Sequence, residues 1–167
     1  MRGIYWTSND GRPIGACRHN QRTWRELQEW PGSFCDTAQG CVWPNETPAF
    51  GWLLHGLWPE FDNGTWPQYC HKEIPFNATA IEDLKGDLDS YWPSLMSKDF
   101  EAFWAHEWTR HGTCALKLTP GEHDYFSLVL HLRKAFDAFS ILNRAVSANQ
   151  EAFPREWVRL PHQFRRW

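Results

Sequence analysis

Apolar residues recur along the chain with the periods of both helix and strand. Phe100, Phe103, Trp104 and Trp108 stand at i, i+3, i+4 and i+8, so the spacing predicts a helix over about 98–111 with one face packed inward. Ser97, followed by Lys98, Asp99 and Glu101, supplies its start signal, and Gly112 follows its end. Tyr125, Val129, Leu132, Phe136 and Phe139 form a second apolar stripe, which predicts a helix over about 124–139. A short helix over about 80–85 is expected after Thr79 and Glu82, spaced as a capping box. The apolar run from Phe50 to Leu54 reads as a buried strand with Gly56 as its break, which puts His55 at a strand end. Residues 22–30, in contrast, are polar and read as helix-like. No stretch is long and apolar enough for a membrane span, and neither an internal repeat nor a glycine-rich phosphate loop is present. These elements predict an α+β domain.

The packed face of the 98–111 helix carries unusual cargo. At about 100° per residue, Glu107 and His111 project within roughly 20° of Phe100, and Arg110 flanks them. Burying such groups without partners costs several kcal/mol, so they must satisfy one another or await a ligand. A structural Glu107–His111 pair would account for the helix alone, but it leaves His55 unexplained. His106-Glu107 also resembles the start of a zinc-binding helix. There the two histidines stand four apart, whereas His106 and His111 are five apart and diverge by about 140° around the helix, so no metal site is expected. Two imidazoles, a cation and a carboxylate suit a reaction in which one group takes a proton and another gives one. Phosphodiester transesterification of RNA fits that set. Glycoside hydrolysis would need paired carboxylates, and neither segment supplies a pair.

Two segments carry a specific resemblance: His55-Gly56-Leu57-Trp58-Pro59 and Phe103-Trp104-Ala105-His106-Glu107-Trp108-Thr109-Arg110-His111-Gly112-Thr113-Cys114. Together they resemble the two signatures of the ribonuclease T2 family. Trp30-Pro31-Gly32-Ser33-Phe34-Cys35 resembles a third family segment, and 125–145 matches more loosely. The resemblance implies an antiparallel sheet packed against helices, with C-terminal strands of the family missing. It implies an endoribonuclease of low base specificity that cleaves single-stranded RNA through a 2′,3′-cyclic phosphate, with His55 as general acid and His111 as general base. Glu107 and Arg110 would stabilise the pentacoordinate phosphorus, and His106 would help hold the phosphate. Arg110 stands where the family usually has lysine, so a planar fork replaces a point charge. Trp58 and Glu60 would line a base pocket, and Glu29 stands where a glutamine near a second base site is expected. No metal, cofactor, membrane or obligate protein partner is implied, and the enzyme would act as a monomer on RNA.

Composition narrows this further. At 167 residues, 42% of them hydrophobic, the chain has material for one real core. Most of its tryptophans, Trp43, Trp92 and Trp104 among them, are expected inside that core. The formal charge of −3 excludes a bulk basic surface, yet protonating all eight histidines would carry it to +5, which favours a polyanion in an acidic compartment. Five cysteines leave the connectivity open. The family resemblance implies Cys35 with Cys41 and Cys70 with Cys114, leaving Cys17 over. Sequons at Asn45, Asn63 and Asn77 lie in loop-like stretches. They accord with a secreted, vacuolar or lysosomal glycoprotein, although no apolar leader is visible at the start of the chain. The expected organisation is a divergent segment over 1–24, a catalytic domain over 25–145 and a divergent tail over 146–167. The altered ends also admit an alternative, a catalytically impaired relative that binds RNA or signals.

Overall fold

The structure, a computed structural model, describes residues 4–5, 21–37, 41–42, 51–61 and 63–149. Three antiparallel strands, β1 (Ile4–Tyr5), β2 (Gln21–Glu29) and β3 (Leu53–Phe61), form a sheet in the order β1-β2-β3. Among the described residues five α-helices accompany it: α1 (Pro31–Thr37), α2 (Lys85–Tyr91), α3 (Phe100–Arg110), α4 (Glu122–Ala135) and α5 (Ala138–Asn149). The α+β class and the core places of Trp92 and Trp104 follow the sequence reading. Trp43 and Asn45 lie outside the described residues, as does Cys17.

The polar segment read as helix-like is the strand β2. Its register against β3, from Gln21 opposite Phe61 to Glu29 opposite Leu53, supplies backbone partners that local propensity cannot foresee. Polar side chains buried on β2 pair among themselves. Gln28 donates to Glu26 at 2.7 Å and to the Phe136 carbonyl at 3.0 Å, while burial pushes the Glu26 carboxyl up to about 7 against the pull of Gln28 and Arg133.

Strand β3 also departs from expectation. It does not break at Gly56 but continues through Pro59, which a strand at the edge of a sheet tolerates. Leu27 pairs with Gly56 and Gln28 with Leu54, so His55 is the extra residue of a β-bulge. A bulge re-aims one side chain and bends the strand, and here it does so to an imidazole. The carbonyls around it are satisfied from the core: Trp92 Nε1 donates to the His55 carbonyl at 3.0 Å and the Tyr125 hydroxyl to that of Leu57 at 3.1 Å. Trp104 Nε1 in turn donates to the Trp92 carbonyl at 2.8 Å. These aromatics are thus core filler and hydrogen-bond anchors for β3 at once.

Helix boundaries shift where side chains offer a better cap. Asp99, not Ser97, caps α3 by accepting from the Ala102 N–H at 2.9 Å, and Ser97 Oγ accepts from the Asp99 N–H. Asn77, not Thr79, caps the 3-10 turn Ala78–Leu84 that precedes α2. The 124–139 stripe is divided at Phe136, because Asp137 accepts from Arg133 and from the backbone and hydroxyl of Ser140, which starts α5. Phe139 is accordingly half exposed, while Tyr125 and Val129 are fully buried.

Both disulfides that the resemblance implies are formed, Cys35–Cys41 and Cys70–Cys114. The second ties the loop after β3 to the turn after α3, and the Tyr69 N–H donates to the Arg110 carbonyl beside it at 2.9 Å. A cross-link over 44 residues should stabilise by about 3–4 kcal/mol through the unfolded chain. Replacing Cys70 and Cys114 together with serine is expected to lower unfolding free energy by that amount. Urea denaturation measures it, and a loss under about 1 kcal/mol would show that the bond constrains little.

Candidate functional site

The bulge on β3 meets the buried face of α3. Trp104, Glu107 and Trp108 turn inward from that helix, and His111, its C-cap, follows on the same side. Glu107 is only 1% exposed and His111 only 2%, as the helical spacing predicts. The Glu107 carboxyl lies at the centre: Trp58 Nε1 donates to Oε2 at 2.9 Å, and Oε1 is 3.8 Å from His55 Nε2. Trp58 also stacks on His111, with centroids 4.4 Å apart and planes 13° from parallel. His55 packs edge-on against Trp58 and Phe103. The site therefore joins His55, Trp58, Glu107 and His111 from two chain segments.

The two imidazoles are driven apart electrostatically. Burial and the charges of Arg110, His106 and His55 pull His111 down to about 3, so it stays neutral in mild acid. At His55 burial also pulls down, but the Glu29 hydrogen bond and the charges of Glu107 and Glu29 outweigh it and raise the ring above its ordinary value. Burial pushes Glu107 up to about 7 despite His55, Trp58 and Arg110. Opposite shifts on paired groups separate a base from an acid. His111 Nδ1 has no hydrogen-bond partner among the described residues.

His106 and Arg110 sit on α3 with different surroundings. His106 is exposed, and burial, Arg110 and His55 lower its pKa. Arg110 is half-buried at the helix end, and Gln68, with its amide oxygen turned inward, accepts from its guanidinium at 3.2 Å and from Trp66 Nε1. Trp58 and Glu60 line a cleft with Arg25, Pro59 and Trp66. Within it Arg25 donates to both Glu60 oxygens, at 2.6 and 2.9 Å. Trp66 is 43% exposed and offers an open aromatic face there.

Three contributors escape sequence reasoning: Arg25, Trp66 and the Glu29–His55 contact. Arg25 lies opposite Trp58 in the sheet register, so only a correct β2 assignment brings it near Glu60. Asn63 and Asn77 are exposed and stand outside this cluster; Asn63 Oδ1 accepts from the Thr65 N–H and hydroxyl. Among the described residues no group of His, Cys, Asp and Glu is arranged to hold a metal ion, and no helix is long and apolar enough to cross a membrane.

The chain is similar to known proteins over most of its length. The chain is 41% identical over 122 residues to extracellular ribonuclease LE of Solanum lycopersicum, covering 71% of this chain and 53% of that protein. It is 37% identical over 122 residues to intracellular ribonuclease LX of the same species, covering 71% of this chain and 50% of that protein. The chain thus spans about half the length of these relatives, which include extracellular and intracellular proteins. The crystal structure of RNase NT in complex with 5′-AMP superposes with a TM-score of 0.67 at 38% identity, over 73% of this chain and 60% of that one. Residues 25–159 match the Ribonuclease T2 family, and the chain belongs to that family.

Proposed function

We propose that this chain is a metal-independent endoribonuclease acting on single-stranded RNA by transphosphorylation, with low base specificity. The observation that carries the reading is the cluster built on one buried carboxyl group: Glu107 lies 3.8 Å from His55 Nε2 and accepts from Trp58 Nε1, whose ring stacks on His111. His111, neutral, takes the proton of the ribose 2′-hydroxyl as O2′ bonds to phosphorus. His55, protonated, gives its proton to O5′ as the P–O5′ bond breaks, leaving a 2′,3′-cyclic phosphate and a free 5′-hydroxyl. Protonated in mild acid, Glu107 donates a hydrogen bond to a phosphoryl oxygen, and Arg110 with His106 balances the phosphorane charge. The cleft of Trp58, Glu60 and Trp66 receives a base, and stacking there is tolerant of sequence.

The catalytic unit comprises residues 25–145, with β2 extending back to Gln21. Passage through the secretory pathway is supported by the two disulfides, which persist in oxidising compartments. The exposed Asn63 and Asn77 are its glycosylation sites on this reading. RNA incubated with the protein and EDTA near pH 5 is expected to give fragments ending in cyclic phosphate. His55→Ala should lower the rate by about 10²–10⁴-fold. Binding of RNA without cleavage would instead support the non-catalytic alternative.

A further inference from the structure

The bulge at His55 turns its ring toward β2 as well as α3. Glu29, the last residue of β2, is 6% exposed, and its Oε2 lies 3.1 Å from His55 Nδ1. The opposite ring nitrogen, Nε2, faces Glu107 Oε1 at 3.8 Å. An ionised carboxylate can only accept, so Nδ1 must be the donor in this contact. With Nδ1–H committed, Nε2 is the atom left to carry a proton to and from substrate.

We propose that Glu29 is a positioning residue for His55, holding the bulged imidazole by Nδ1–H so that Nε2 presents the transferable proton. The idea rests on the reading of His55 as general acid and adds to it the group that orients and charges the ring. Five charged or titratable groups face His55. Glu29 comes from β2, while His106, Glu107 and Arg110 come from α3 and His111 from the turn after it. Arg110 opposes a second positive charge there. Glu107, with its carboxyl pushed up to about 7, is neutral over most of the acid range. Glu29 is the carboxylate in hydrogen-bond contact with the ring, at 3.1 Å against 3.8 Å for Glu107. Its hydrogen bond is the largest of the influences that raise the ring.

Glu29→Gln keeps the shape and an acceptor oxygen but removes the charge. The alkaline limb of kcat/KM is expected to move down by about one pH unit, since a neighbouring opposite charge shifts a pKa by about 1–3 units. Activity on the alkaline limb should fall about ten-fold more than activity at pH 4.5, and the NMR titration of His55, assigned by its disappearance in His55→Ala, should move by about one pH unit. In the unaltered protein, nitrogen shifts should show Nδ1 protonated throughout and Nε2 titrating. An unmoved limb and titration in Glu29→Gln, or a proton held on Nε2 in the neutral ring, would overturn the proposal while His55→Ala stays inactive. Retained activity in His55→Ala would overturn the catalytic reading itself.

Discussion

His111→Ala is expected to lower kcat on RNA by about 10³-fold or more, because the variant removes the proton acceptor. The sign of the pH dependence distinguishes this from general damage. In the unaltered protein, burial and three neighbouring positive groups hold His111 down to about 3. The base is therefore available above that value, and the rate should rise as pH increases through about 3. The acid, His55, is raised above its ordinary value, so the rate should fall only as pH passes the ordinary histidine range. His111→Ala should lose the rising limb and keep the falling one. His111→Phe offers a stringent control, since it keeps an aromatic ring to stack on Trp58 without a titratable nitrogen. Activity within ten-fold of the unaltered protein in either variant would exclude His111 as the base.

The parts of this site that the sequence reveals are those set by a single periodicity. Glu107, His111 and the inward tryptophans of α3 obey the 3.6-residue repeat, so their convergence can be read before any fold is known. Pairing between strands is different, because register depends on residues far apart in the chain. The bulge at His55 arises from Leu27 and Gln28 meeting Gly56 and Leu54, and no local pattern in 50–61 announces it. Residues 22–30 fail for the same reason: their polarity suggests a helix, whereas tertiary pairing imposes β2 and brings Arg25 to Glu60 and Glu29 to His55. The exchange of Ser97 for Asp99 and of Thr79 for Asn77 as caps has a smaller cause, a choice among adjacent residues with similar oxygen acceptors.

Gly56→Ala should damage both the site and the fold. A Cβ at this position would lie 2.3 Å from Glu107 Oε2 and 2.6 Å from Trp58 Nε1, the two atoms joined by the central hydrogen bond of the site. One of them must retreat, yet neither has open space behind it: Glu107 is buried on α3, and Trp58 is stacked on His111. The strand cannot yield instead, because its carbonyls at His55 and Leu57 are fixed by Trp92 and Tyr125. Overpacking of this kind costs about 1–3 kcal/mol, and displacing a catalytic group by about 1 Å costs about 10² in rate. The variant is therefore expected to show a lower Tm together with a kcat loss of about 10²–10³-fold that low temperature does not restore. Replacing Gly86, which has open space around it, should leave kcat intact. Because the Cβ acts first on the Trp58–Glu107 hydrogen bond, the double variant Gly56→Ala/Glu107→Ala should recover most of the lost stability without recovering activity. A stable, fully active Gly56→Ala would mean that this hydrogen bond does not organise the site.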